Sequence, residues 1–244
     1  MTQEEKIRNS TMGKALTELS EELEKINYPP VTLNVVGGFA MMVQGNRPAD
    51  GTTDIDYVGP DMSEQFNNIA DRIGKKYRIG EKWINNETVL SDSTQESFEY
   101  STGRLRFDKQ MKIGNITINA LHPDDLLRLK IIAFDTAITG MEATGKFTRF
   151  KDLSDIKTLI ETQKKDYKNL PEECRQYIIN ENTEDLIQCY IEEGEKATSD
   201  AIDLIREKTL QKQRHLRMKN GEYQRSSYVQ NLLDKLVNHD DFQL

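Results

Sequence analysis

The sequence predicts an α/β (α+β) fold: a mixed sheet with flanking helices over residues 1–165, then an all-α C-terminal region over residues 166–244. Three observations predict it. An apolar run, Val31 to Val36, stops at Gly37-Gly38 and gives way to the apolar stretch FAMMVQ, the pattern of a buried strand, a glycine turn and a helix start. Thr53 to Val58 alternates at period two and leads into Met62 to Tyr77, where Phe66, Ile69 and Ile73 recur at helical spacing. Beyond about Asn169-Leu170-Pro171 the composition turns to charged helical segments without glycine-rich turns.

Taken in order, residues 1–27 carry Leu16, Leu19, Leu23 and Ile26 on one face and read as an amphipathic helix packed on the core. Asn27-Tyr28-Pro29-Pro30 breaks it, because proline excludes the helical conformation at the residue before it. The strand and glycine turn follow. The helix Met62 to Tyr77 fits a crossover returning to the same sheet, which makes the sheet parallel or mixed. Trp83 is assigned a packing role, as befits a lone tryptophan.

Phe98–Ser101 and Leu105–Phe107 are strand candidates, and Met111 to Leu121 reads as a hairpin turning at Gly114-Asn115. In its second limb Ile116 and Ile118 share one face, Thr117 and Asn119 the other. Leu121-His122-Pro123-Asp124-Asp125 opens a helix whose apolar stripe (Leu126, Leu127, Leu129, Ile132) contains Lys130. Gly140 to Gly145 reads as a loop, and the stretch Phe147 to Ile156 as the start of another helix that Asp152 caps, with Arg149 paired to a carboxylate. Further helices are expected at Cys174–Tyr177, Asp185–Glu193, Lys196–Arg217 and Arg225–Val237.

Composition narrows the function classes. With 244 residues, 36% hydrophobic and 30% charged, the chain can bury a sizeable core and is too well patterned for wholesale disorder. A net charge of -8 disfavours a broad nucleic-acid-binding face, and no DNA partner is expected, although Lys208 to Arg217 forms a local basic patch. Cys174 and Cys189, the two cysteines, have no metal-ligand or redox spacing, and His122, His215 and His239 have no partners at ligand or triad spacing. No signal-peptide pattern is present and no apolar run approaches ~18 residues, so a cytoplasmic protein without a membrane partner is expected.

The chemically pointed residues cluster between Val35 and Val58. Gly37-Gly38 lets a ligand approach the backbone, and the free N–H groups of the helix that follows suit a phosphate. Period-two alternation puts Asp54 and Asp56 on one face, their Cα atoms roughly 6–7 Å apart. Alone, a Gly-Gly is usually a turn and an Asp-x-Asp a solvated strand end. Together, joined by a short loop carrying Arg47, they are a phosphate cradle beside a divalent-cation pair.

The stretch GGFAMMVQGNRPADGTTDID resembles the signature of the polymerase-beta-type nucleotidyltransferase superfamily, a Gly-Gly helix start followed by an arginine and Thr-Asp-x-Asp. Within it the chain is similar to the bacterial group related to abortive-infection, type IV toxin–antitoxin toxins, and more distantly to lincosamide and aminoglycoside nucleotidyltransferases. The resemblance spans about the first 160 residues. It implies a metal-dependent enzyme that uses a nucleoside triphosphate, with Mg2+ or Mn2+ on Asp54 and Asp56 and nucleotide contacts from Gly37, Gly38, Arg47 and Thr53, Arg47 either reaching the triphosphate or bracing the loop instead. Lys130, and Arg149 and Asp152 in an Arg-x-Lys-Asp-x-x-Asp helix start, are implied accessories. A third carboxylate is expected just before the Leu121-His122-Pro123 turn; Asn119 stands there, with Glu99 and Asp108 as substitutes from nearby strands. Three functions follow: a toxin-like enzyme with an RNA or protein acceptor and an antitoxin-like partner, a catalytically degenerate nucleotide- or partner-binding module, and a small-molecule modifier of the antibiotic-inactivating kind.

Overall fold

The computed structural model describes residues 1–86, 105–144, 149–166, 168, 170–176 and 178–219. The chain opens with two helices, α1 (Gln3–Asn9) and α2 (Thr11–Lys25), where the sequence suggested one. The break is at Ser10, whose backbone is extended and whose hydroxyl accepts the Gly13 N–H at 3.1 Å, an N-cap that starts a new helix. The expected stripe holds: Leu16, Leu19 and Leu23 are fully buried, whereas Ile26 is exposed.

The sheet has five strands in the order β3-β2-β1-β5-β4, with β1 Val31–Val35, β2 Ile55–Val58, β3 Ile84–Asn85, β4 Phe107–Ile113 and β5 Ile116–Leu121. β1 runs parallel to β5 and antiparallel to β2; β2 is parallel to β3, and β4 antiparallel to β5. The sheet is therefore mixed, as expected. The crossover between β2 and β3 is α4 (Glu64–Tyr77), and the β4–β5 hairpin turns at Gly114-Asn115. Leu105 and Arg106 precede β4 rather than forming a strand, and Phe98–Ser101 lies outside the described residues.

The two sheet faces differ. Val31, Leu33 and Val35 of β1, with Tyr57, Met111, Ile113, Ile116, Ile118 and Ala120, join the apolar core that also holds the buried side chains of α2 and α4. Trp83 is buried in this layer and donates its indole N–H to the Ala70 carbonyl at 2.7 Å, so it packs. The alternate residues Thr32, Asn34, Asp56, Thr117 and Asn119 lie on the other, polar face.

Helix α3 (Gly37–Gln44) is buried almost throughout and ends at Gly45 in the left-handed conformation. α5 spans Pro123–Thr144 and runs straight through Gly140, where a loop was expected. A glycine in a helix interior costs about 1 kcal/mol. Ile138 and Met141 beside it are fully buried, each contributing about 1.5–3 kcal/mol, so packing wins. α6 (Lys151–Thr162) packs against α5.

Beyond residue 165 the described helices are α7 (Glu172–Arg175), α8 (Thr183–Glu192) and α9 (Glu195–Lys219); Arg225–Val237 lies outside the described residues. Leu186, Ile187 and Ile202 join the same core as the sheet. The buried Asp135 of α5 anchors the region by accepting bonds from the Ile179 and Asn180 N–H groups and from the Thr183 hydroxyl, the last at 2.7 Å. Among the described residues, no helix is long and apolar enough to cross a membrane.

Candidate active site

The elements converge on a cavity of about 240 Å³ lined on one side by Val36, Gly37, Gly38, Thr52, Asp54 and Asp56, and on the other by Leu126, Leu129, Lys130, Ala133, Arg149 and Lys151, with Arg47 between. Residues more than 100 positions apart in sequence share its walls.

The glycine turn is tight for reasons beyond ligand access. Gly37 has φ +61, and a Cβ on it would lie 2.7 Å from Oδ2 of Asp56. A Cβ on Gly38 would lie 2.7 Å from Nη1 of Arg47 and 2.9 Å from Oγ1 of Thr52. The missing side chains thus let a carboxylate, a guanidinium and a hydroxyl close around the start of α3. That helix begins at Val36 with no side-chain cap, which leaves its first N–H groups for whatever enters the cavity.

Asp54 sits just before β2 and is exposed; its Oδ1 accepts the Thr52 hydroxyl at 2.5 Å. Asp56, on β2, is half-buried opposite Asn85 of β3 and accepts a hydrogen bond from it. Burial first, and then the neighbouring Asp54 charge, push the Asp56 carboxyl above its ordinary value, while Asn85, Lys130 and Lys151 partly offset this. A bound cation would relieve both causes. Two carboxylates suit a magnesium-like ion that takes its remaining oxygens from phosphate and water. Among the described residues no group of three or more His, Cys, Asp or Glu side chains is placed to hold a metal alone.

The opposite wall is a buried ion-pair network. Arg47 grips Asp155 with two bonds, Nε–Oδ1 2.9 Å and Nη2–Oδ2 2.6 Å, and its Nη1 donates to the Gly51 carbonyl at 3.2 Å. Lys130 Nζ lies 2.9 Å from Asp152 and 2.7 Å from Asp155. Arg149 Nε completes the chain on Asp152 at 2.5 Å. Both acids sit three positions apart on α6 and so share a helix face. Burial alone would raise the Asp152 carboxyl, but Lys130 and Arg149 outweigh it and hold the group below its usual range.

Most of the expected site residues meet here: Gly37, Gly38, Arg47, Asp54, Asp56, Lys130 and Arg149 all line the cavity. Others do not. Thr53 is exposed outside the lining, and Thr52 takes its place. Asp152 is not a cap: α6 has Phe150 at its N-cap position without a side-chain bond, and Asp152 lies inside the helix, fully buried. The expected pairing of Arg149 with a carboxylate is present.

Asn119 corrects a larger expectation. Its pairing opposite Asn34 puts it on the same sheet face as Asp56, as strand parity suggests. Asp56, however, bonds through its carbonyl to Val36, two residues beyond Asn34 on β1, so Asn119 is two strands and two residue steps away, roughly 12 Å between Cα atoms. Its amide donates to Asn34 at 3.0 Å and accepts from Gln110 at 2.9 Å, and it does not line the cavity. Asp108 also lies elsewhere, accepting from Gln44 at 2.7 Å, and Glu99 is outside the described residues.

Asp155, Thr52, Asn85 and Lys151 were not among the expected site residues. Lys151 and Asp155 were readable as the lysine and last acid of the Arg-x-Lys-Asp-x-x-Asp stretch, and two acids three apart on a helix face invite a shared cation; Thr52 and Asn85 carried no such signal. Comparison with protein-family models, with curated proteins and with solved structures finds no match for this chain.

Proposed function

We propose that the chain is a metal-dependent nucleotidyltransferase that moves a nucleoside monophosphate from a nucleoside triphosphate to an acceptor hydroxyl. The observation that carries this is the convergence of an uncapped helix start, a carboxylate pair and a cationic wall on one cavity. In such a reaction an acceptor oxygen attacks the α-phosphorus and pyrophosphate leaves, so catalysis is positioning plus charge stabilisation. Asp54 and Asp56 would hold Mg2+ or Mn2+, which when bound neutralises charge developing on the phosphate oxygens. The α3 amides take phosphate oxygens. Thr52 fixes Asp54, Asn85 fixes Asp56, and Arg47 braces the glycine turn against α6 rather than contacting nucleotide with the groups already committed to Asp155.

RNA or protein acceptors, with an antitoxin-like partner, belong to the toxin-like form of this reading. A second reading, a nucleotide-binding module without turnover, is favoured by one observation: among the described residues the cavity lining contains no third carboxylate to serve as base.

The test is incubation with α-labelled nucleoside triphosphates, magnesium, and total RNA or protein. Label transferred by the natural chain and not by Asp54→Asn/Asp56→Asn supports transfer. Magnesium-dependent nucleotide binding without transfer leaves the binding module, and failure to bind any triphosphate removes both.

A further inference from the structure

The four cations around the cavity are not equally committed. Arg47 spends its guanidinium on Asp155 and the Gly51 carbonyl. Lys130 is bracketed by Asp152 and Asp155, and Arg149 is tied through Nε to Asp152. Three cations on two carboxylates leave one net positive charge, spread over a rigid and largely buried network. Lys151 differs: it is exposed at the first position of α6, lines the cavity, and has no hydrogen bond or ion pair among the described residues. Its charge nevertheless reaches Asp56 across the cavity. Like α3, the helix it opens has no side-chain cap. Its Asp152 and Leu153 N–H groups are already bonded to the Arg149 and Phe150 carbonyls at 3.0 and 3.2 Å, so the Lys151 ammonium, not the helix start, is what is open to an anion.

We propose that Lys151 binds the terminal phosphates of the nucleoside triphosphate and follows them as they leave as pyrophosphate. This rests on the nucleotidyl-transfer reading and assigns a residue to its leaving-group end. In the transfer the acceptor oxygen forms a bond to the α-phosphorus and the bond to the bridging oxygen breaks. The bonding pair stays on pyrophosphate, and the acceptor proton passes to solvent. The negative charge that grows on the bridging oxygen needs a partner that is not already neutralised, and Lys151 is that partner. A lysine suits the task, since its compact ammonium on a flexible four-carbon stem can keep contact with a departing group. An anion held here would share the cavity with Asp54 and Asp56, and Lys151 would supply a positive charge to the phosphates that the two acids cannot.

The test is calorimetric titration of the full chain with ATP, AMP and inorganic tripolyphosphate, each with magnesium, in the natural protein, Lys151→Ala and Lys151→Arg. Lys151→Ala is expected to weaken ATP and tripolyphosphate about tenfold or more, the scale of one hydrogen bond to a charged group, and to leave AMP within about twofold. Lys151→Arg should restore most of the loss. Melting should not change in either variant, because the side chain is exposed and makes no hydrogen bond or ion pair among the described residues. Unaltered ATP and tripolyphosphate affinity in Lys151→Ala, with ATP bound by the natural chain, overturns the assignment while sparing the nucleotidyl-transfer reading. So does tighter magnesium binding with no change in triphosphate, which would make Lys151 a counter-ion of Asp56. Failure of the natural chain to bind ATP overturns both.

Discussion

Arg47 and Asp155, 108 residues apart, are joined by two near-parallel bonds of 2.9 and 2.6 Å, with the carboxylate side chain only 5% exposed. The pair ties the loop after the glycine turn to α6 and so holds the two walls of the cavity in register. Removing one partner of a buried pair strands the other, so Arg47→Ala is expected to lose about 3–5 kcal/mol in urea unfolding. Arg47→Lys should recover only part, because an ammonium cannot reproduce the fork. A loss below about 1 kcal/mol for Arg47→Ala would show that the pair is not structural.

Asp56 carries the opposite sign. Its carboxyl is pushed up by burial and by Asp54, so the ionised form is disfavoured in the fold. The fold is favoured by protonated Asp56 below the unfolded carboxyl range, and that advantage is lost as pH rises through the raised folded value. Asp54→Asn/Asp56→Asn should then melt at the same or a higher temperature at neutral pH and lose magnesium-dependent nucleotide binding. Nucleotide affinity equal to that of the natural chain would exclude the metal role.

Asp152 provides the pH contrast. Held low by Lys130 and Arg149 against its burial, it contributes stability that is present above the unfolded carboxyl value and lost as pH falls through its folded one. Unfolding midpoints of the natural chain and Asp152→Asn should differ most near neutrality and converge in acid. A gap that stays constant down to strongly acidic pH would assign the effect to packing rather than charge.

Gly37→Ala tests the turn. A side chain at φ +61 costs about 1–2 kcal/mol, and its Cβ would meet Oδ2 of Asp56 at 2.7 Å. Stability and nucleotide affinity should fall together. Normal affinity in a destabilised variant would separate the turn from the site.

Asn119→Asp would raise transfer if the residue stood beside Asp54 and Asp56. Bonded instead to Asn34 and Gln110 outside the cavity, it should leave the rate unchanged and cost about 1 kcal/mol or less, since Asn34 can turn its amide to donate. A tenfold or greater gain in label incorporation would reinstate it as the missing acid's position.

The sequence by itself determined the local elements and one wall of the site. Strand, glycine turn, helix and Asp-x-Asp are written within the 26 residues from Val31 to Asp56, where periodicity and backbone conformational limits act over a few neighbours, and so Gly37, Gly38, Asp54 and Asp56 were legible. The break at Ser10 escaped the sequence reading because the apolar stripe Leu16 to Ile26 lies wholly beyond it and says nothing of where its helix begins, and the helix through Gly140 because Ile138 and Met141 found a core that outweighs a glycine's helix penalty. How the second wall docks was decided only by the tertiary structure, although its Lys130, Arg149 and Asp152 were named from the resemblance. Whether Arg47 meets nucleotide or Asp155, and whether Asn119 lies beside Asp56 or two steps short of it, depends on strand register and on how α5 and α6 dock. Those are set by the summed burial of side chains across the whole core, a quantity that no local stretch of sequence contains.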